Sequence, residues 1–164
     1  MRASHRLDLV AVPADADRDA VHGHRLLDRL RADGVLDPTD GAGPAAERWV
    51  VGGFARIRVD DPGIVVLYAN RQGGFRVRCP QTGEPVIRAF EAAVTAWRSG
   101  EPRQLACPSC GRFHALDALD AEPPIAFGAW AVVTADAGSA TLTPEAQGWL
   151  DEAVGATRVI SVRG

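Results

Sequence analysis

The sequence predicts an α+β fold, a mainly antiparallel sheet packed with two to three helices. Strict apolar–polar alternation in Phe54-Ala-Arg-Ile-Arg-Val59 and Phe75-Arg-Val-Arg-Cys79 is the period-two pattern of half-buried strands. Three longer stretches space their apolar residues at helical intervals and close on Gly34, Gly100 and Gly155, as helices do. Strands and helices do not alternate one for one, which argues against a doubly wound parallel sheet. The order reads β-α-β-β-β, helix, ribbon, β-α-β. A strand–helix–strand unit at each end suggests ferredoxin-like elements interrupted by an insertion.

Each element has a local reason. Residues 6–12 form a first strand, with Leu7 and Leu9 opposite Asp8. Asp15, Asp17 and Asp19 then suit the positive end of a helix over 20–32, which turns Leu26, Leu27 and Leu30 inward. The Asp-, Gly- and Pro-rich stretch 34–46 is expected to be a flexible loop. Three strands over 54–59, 64–68 and 75–79 are separated by turns at Asp61-Pro62-Gly63 and Arg71-Gln-Gly-Gly74 and read as a meander. The continuous apolar run 64–68 marks a buried central strand.

Pro85 is suited to the first position of a second helix, with Val86, Phe90, Val94 and Trp97 on one face. Short strands lead into and out of Cys107-Pro-Ser-Cys-Gly111, and another runs over 127–134. Thr143-Pro144-Glu145 combines a hydroxyl cap, a proline and an acid in the first turn. That last helix faces Trp149, Leu150 and Ala153 inward and is followed by a strand over 158–162.

At 164 residues the chain is expected to be one α+β domain over 1–164, with a zinc-ribbon-like insertion over 75–118. The 46% hydrophobic and 24% charged content is that of an ordinary globular protein. A net charge of −3 supplies no global field for nucleic acid or acidic membrane. All 18 basic residues are arginine. Without lysine there is no P-loop phosphate site and no Schiff-base or lysine-base chemistry. No apolar run approaches the ~20 residues of a membrane helix, and 7–12 is no signal-peptide core. The expected location is the cytoplasm, consistent with an odd cysteine count.

Two matching corners carry the chemistry. Cys79-Pro80-Gln81-Thr82-Gly83 and Cys107-Pro108-Ser109-Cys110-Gly111 both read C-P-x-x-G after an alternating strand. In a zinc knuckle the cysteine ends a strand, proline turns the chain, and glycine lets it curl with amides aimed at sulfur. Thr82 stands where a fourth cysteine belongs. The candidate ligands are therefore Cys79, Cys107, Cys110 and His114, the last four residues beyond Cys110. Three states are compatible with this spacing. The four side chains close a structural zinc site, or the knuckles persist as metal-free turns with reduced thiols, or three thiolates and a water form an open hydrolytic centre. A thioredoxin-type reading of Cys107–Cys110 is disfavoured because strand, not helix, follows.

With Cys79-Pro80, 92–97, 107–111, 116–119, Phe127-Gly128 and 158–163 taken together, the chain resembles a family of uncharacterised actinobacterial zinc-ribbon proteins over residues 75 to 164. Bacterial origin also fits the Arg-, Ala-, Gly- and Asp-rich composition. The resemblance implies a ribbon fold and no known activity. Thr82 departs from the family's pattern.

Arg56, Arg58, Arg76 and Arg78 alternate on two strands of the expected meander. On one face they form a basic stripe for an anion or an acidic partner; otherwise they are a solvated sheet face. His22 and His24 lie two apart on a helix and point to different faces, which suits surface residues better than chelators. The four tryptophans read as core pieces. No G-x-S-x-G, H-E-x-x-H or G-x-G-x-x-G motif is present. The expected function is a non-enzymatic adaptor that binds a protein partner. The alternatives are a nucleic-acid-binding zinc-ribbon protein and a metal-dependent hydrolase.

Overall fold

The structure is a computed structural model that describes residues 6–15, 18–70 and 74–164. Asp17, Arg71 and most of the expected turn at 71–74 lie outside the described residues. In chain order the elements are β1 (Leu7–Pro13), α1 (Val21–Ala32), β2 (Arg56–Asp60), β3 (Val66–Tyr68), β4 (Arg76–Arg78), α2 (Ile87–Arg98) and β5 (Gln104–Ala106). These are followed by β6 (Phe113–Ala115), β7 (Asp120–Glu122), β8 (Ala126–Gly128), β9 (Ala131–Ala135), α3 (Pro144–Val154) and β10 (Thr157–Arg163). The α+β class with mainly antiparallel pairing is as the sequence predicts.

The chain divides into two compact units, Met1–Gly73 with Ala126–Gly164, and Gly74–Ile125. The stretch 75–118 lies wholly within the second.

In the first unit a four-stranded sheet has the order β10-β1-β9-β2, every neighbour antiparallel. Strands β1 and β2 therefore run parallel with β9 between them, and β9 and β10 run parallel with β1 between them. Each pair is bridged by a helix, α1 or α3. Two interleaved split β-α-β units of this kind make a ferredoxin-like sheet.

Alternation gives the sheet two faces. Leu9, Ala11, Ile57 and Val132 join Leu26, Leu27 and Leu30 of α1 and Trp149, Leu150 and Val154 of α3 in the larger core. Trp49 is fully buried there and stacks on Trp149, with ring centroids 6.4 Å apart. Its indole N–H donates to Thr134 Oγ1 at 2.9 Å, so the one buried polar side chain among the described residues is satisfied. Helix starts follow local chemistry: Asp19 accepts from the Val21 N–H at 2.9 Å, and Thr143 accepts from the Ala146 N–H at 3.0 Å.

Several expectations are corrected. The meander does not form: β2 pairs with β9, β3 with β8, and β4 with β7. The apolar run 64–68 is not a central buried strand. Its residues 66–68 are half-buried in a two-stranded sheet, and Ile64 is 68% exposed. The strand expected over 127–134 breaks into β8 and β9, because β8 pairs with β3 and β9 enters the main sheet. The second helix begins at Ile87 rather than Pro85. Val77 O binds the Val86 N–H and Arg78 bridges Pro85, which holds that segment extended.

The 34–46 stretch is a packed loop. Val35 and Leu36 are buried in the core. Asp37 accepts from the Thr39 N–H and hydroxyl, both at 2.8 Å, and from the Gly41 N–H at 2.9 Å. Those hydrogen bonds hold the Asp37 carboxyl below its ordinary range, the Thr39 hydroxyl contributing most.

The sheet's other face packs Val10, Val12, Val133 and Ile160 with Ala126 of β8. Strand β8 comes close enough that a Cβ on Gly128 would lie 2.5 Å from a Val12 methyl. No helix among the described residues is long and apolar enough to cross a membrane.

Two outcomes test this packing. Trp49→Ala should lower the unfolding free energy by about 3–5 kcal/mol, read by urea denaturation followed by far-UV circular dichroism. Gly128→Ala should cost about 1–3 kcal/mol through overpacking, and a second change, Val12→Ala, should restore most of it.

Candidate metal centre

The second unit is built around two corners of the same construction. Strand β4 leads into Cys79, whose N–H donates to Glu84 O at 2.9 Å and whose carbonyl accepts from the Gly83 N–H at 2.8 Å. Strand β5 leads into Cys107, whose N–H donates to Arg112 O at 2.8 Å and whose carbonyl accepts from the Gly111 N–H at 2.9 Å. Gly83 and Gly111 both take φ of 74°, a left-handed conformation that favours glycine. The repeated C-P-x-x-G spacing is thus a repeated backbone turn.

His114 reaches the same place by strand pairing. The β5–β6 pair sets Leu105 opposite His114 and Ala106 opposite Phe113, so the chain doubles back beside the second corner. His114 Nε2 lies 3.1 Å from Cys110 Sγ and 3.8 Å from Cys79 Sγ. One ligand atom from each of Cys79, Cys107, Cys110 and His114 lies within 4.8 Å of all the others. Cys79 and Cys107 are buried, and Cys110 and His114 half-buried. Donors bound at about 2.0–2.3 Å to a tetrahedral ion sit roughly 3.4–3.8 Å apart, a separation inside the range seen here. Three thiols and one imidazole so placed can hold one metal ion.

Thr82 is not a sulfur donor but a hydrogen-bonding residue. Its hydroxyl lies 2.6 Å from Ser109 Oγ and accepts from the Glu84 N–H at 3.2 Å, which ties one corner to the other. It also acts on Cys79. Burial pushes the Cys79 thiol up, but hydrogen bonds from the Thr82 hydroxyl, the Thr82 and Gln81 N–H groups and the Cys107 thiol outweigh it, leaving the pKa lowered to about 6. For Cys110 the Arg112 N–H favours the thiolate, yet burial and the adjacent Cys107 and Cys79 sulfurs prevail and its pKa is raised. Crowded sulfurs cannot all ionise easily without a cation among them.

The four arginines lie on strands that do not pair with each other. Arg56 and Arg58 are on β2 in the first unit, whereas Arg76 and Arg78 are on β4 in the second, and no ladder joins those strands. The meander that was to align them is absent. Arg78 instead donates to Gly83 O at 3.0 Å and braces the first corner. His22 and His24 take no part in the metal-ligand group. The Thr82–Ser109 link had only a weak sequence signal, the non-cysteine at position 82. Comparison with family models, curated proteins and solved structures gave no match to this chain.

Thr82→Val should raise the Cys79 pKa, read as an alkaline shift of the first thiolate absorbance step at 240 nm in metal-free protein. Because the folded pKa lies below the ordinary thiol value, ionisation of Cys79 favours the metal-free folded state above that ordinary value. This contribution should disappear as the pH falls through about 6, measured as a declining thermal midpoint for the second unit.

Proposed function

We propose that Cys79, Cys107, Cys110 and His114 bind one zinc ion in a closed structural centre, within a zinc-ribbon-like unit of a non-enzymatic adaptor protein. The observation that carries this reading is the donor set. Three thiolates and an imidazole are the soft-to-borderline ligands that suit zinc, and four protein ligands complete its tetrahedral shell. A hydrolytic zinc needs an open position for water, and His114 fills it. The reduced thiols the centre requires fit a cytoplasmic location.

A protein partner suits the unit's surface. Phe113 is 69% exposed beside the ligand His114, and exposed aromatic side chains held on rigid backbone are favoured interface anchors. The nucleic-acid reading is less favoured, because the meander expected to align the four arginines does not form.

Elemental analysis of protein purified without added metal or chelator should find one zinc per chain. Cys79→Ser or His114→Ala should weaken zinc retention at least tenfold in a competition with a chromogenic chelator. Chelation should make the stretch 74–125 protease-sensitive and leave the first unit resistant. A metal-free protein with three freely titrating thiols, folded to the same extent with and without zinc, would refute the reading. Random-sequence DNA and RNA should show no salt-dependent binding.

A further inference from the structure

The face of the four-stranded sheet turned away from α1 and α3 carries a cleft of about 540 Å³, lined entirely by residues of the first unit. Small-molecule sites commonly occupy this volume range and combine an apolar surface with a few convergent polar groups. Here Val10, Val133 and Val162 line the cleft from three strands, and Leu67 and Tyr68 of β3 line it as well. The valines share one face by the period of two: Val10 lies opposite Val133, and Val133 opposite Arg58.

The polar groups differ in what they have left to offer. Tyr68 donates its hydroxyl to Asp60 Oδ2 at 2.8 Å. Asp8 accepts from Arg6 Nε at 3.2 Å. Arg58 is exposed, lines the cleft, and its guanidinium has no hydrogen bond or ion pair with any described residue. Arg163 also lines the cleft, but it lies opposite Leu7, out of phase with Val10 and Val162, whereas Arg58 lies opposite Val133 on the face of the three valines.

We propose that this cleft binds a small organic monoanion, with its carboxylate on Arg58 and its apolar body against Val10, Val133 and Val162. The planar guanidinium fork matches a carboxylate in bidentate geometry. Asp8 and Asp60 line the same cleft as Arg58 and repel a phosphate dianion more than a single carboxylate. The inference is independent of the metal centre, whose ligands all belong to the other unit.

The test uses the full chain and phenylacetate as the probe, followed by amide and methyl NMR shifts. Saturable shifts should appear at Val10, Val133 and Val162. Arg58→Gln should weaken phenylacetate about tenfold, the scale of losing one charge-assisted hydrogen bond. The neutral isostere phenylacetamide should bind weakly to wild type and be unaffected by Arg58→Gln. Arg56→Gln serves as the control, since Arg56 is exposed on the same strand but does not line the cleft, and it should leave phenylacetate binding unchanged. Four results would each overturn the proposal: no saturable shift at the three valines, equal affinity for the two probes, equal weakening by Arg56→Gln and Arg58→Gln, or tighter binding of inorganic phosphate than of phenylacetate.

Discussion

The convergence of three sulfurs and one imidazole nitrogen within 4.8 Å is the constraint around which the second unit is arranged. Its strands are only three residues long and occur in pairs, and two-stranded ladders of this size are marginal on their own in water. Helix α2 supplies an apolar contribution through the buried Phe90 and Val94. A metal ion held by donors from both corners would add a cross-link that such short strands lack. The proposed zinc ion also removes an electrostatic difficulty, because it balances thiolates that otherwise oppose one another's ionisation.

The corners show how little sequence a ligand turn needs. A strand end, a proline and a glycine free to take positive φ set the backbone, and the hydrogen bonds at Cys79 and Cys107 repeat residue for residue. What differs is the fourth position. In the second corner it is Cys110, a ligand candidate; in the first it is Thr82, which links to Ser109 and supports the Cys79 sulfur. Position 82 is thus a brace where position 110 offers a sulfur, and the fourth candidate donor comes from the neighbouring hairpin.

The first unit obeys a different constraint. Its sheet interleaves two strand–helix–strand pieces that lie far apart in sequence, so β1 must find both β9 and β10. Packing of α1 and α3 on one face, with Trp49 stacked on Trp149, secures that arrangement. The opposite face needs no helix. The β3–β8 pair packs against part of it through Ala126 and the close approach of Gly128 to Val12, and the remaining part is the cleft that includes Arg58.

Local chemistry was readable in advance wherever a short run of residues settles the outcome. The capping of α3 by Thr143, the inward leucines of α1 and the two Cys-Pro corners all follow from residues within a turn or two of one another. The candidate ligand set was readable too, since knuckle spacing names its own donors and the position of His114 follows from a hairpin. Strand partners were not. The alternation around Arg56, Arg58, Arg76 and Arg78 is the same whether their strands adjoin or belong to separate sheets, so period two identifies a face and never a neighbour. Nor does a loop rich in Asp, Gly and Pro disclose that Val35 and Leu36 will be buried beneath it. The sequence by itself determined most of the elements, their faces and the candidate donors, because these depend on φ, ψ and side-chain chemistry over a few residues. Only the tertiary structure decided which strands pair, where the arginines stand and that a cleft opens beside Arg58, because those depend on apolar surfaces meeting across more than a hundred residues' separation, as Val10 meets Val133.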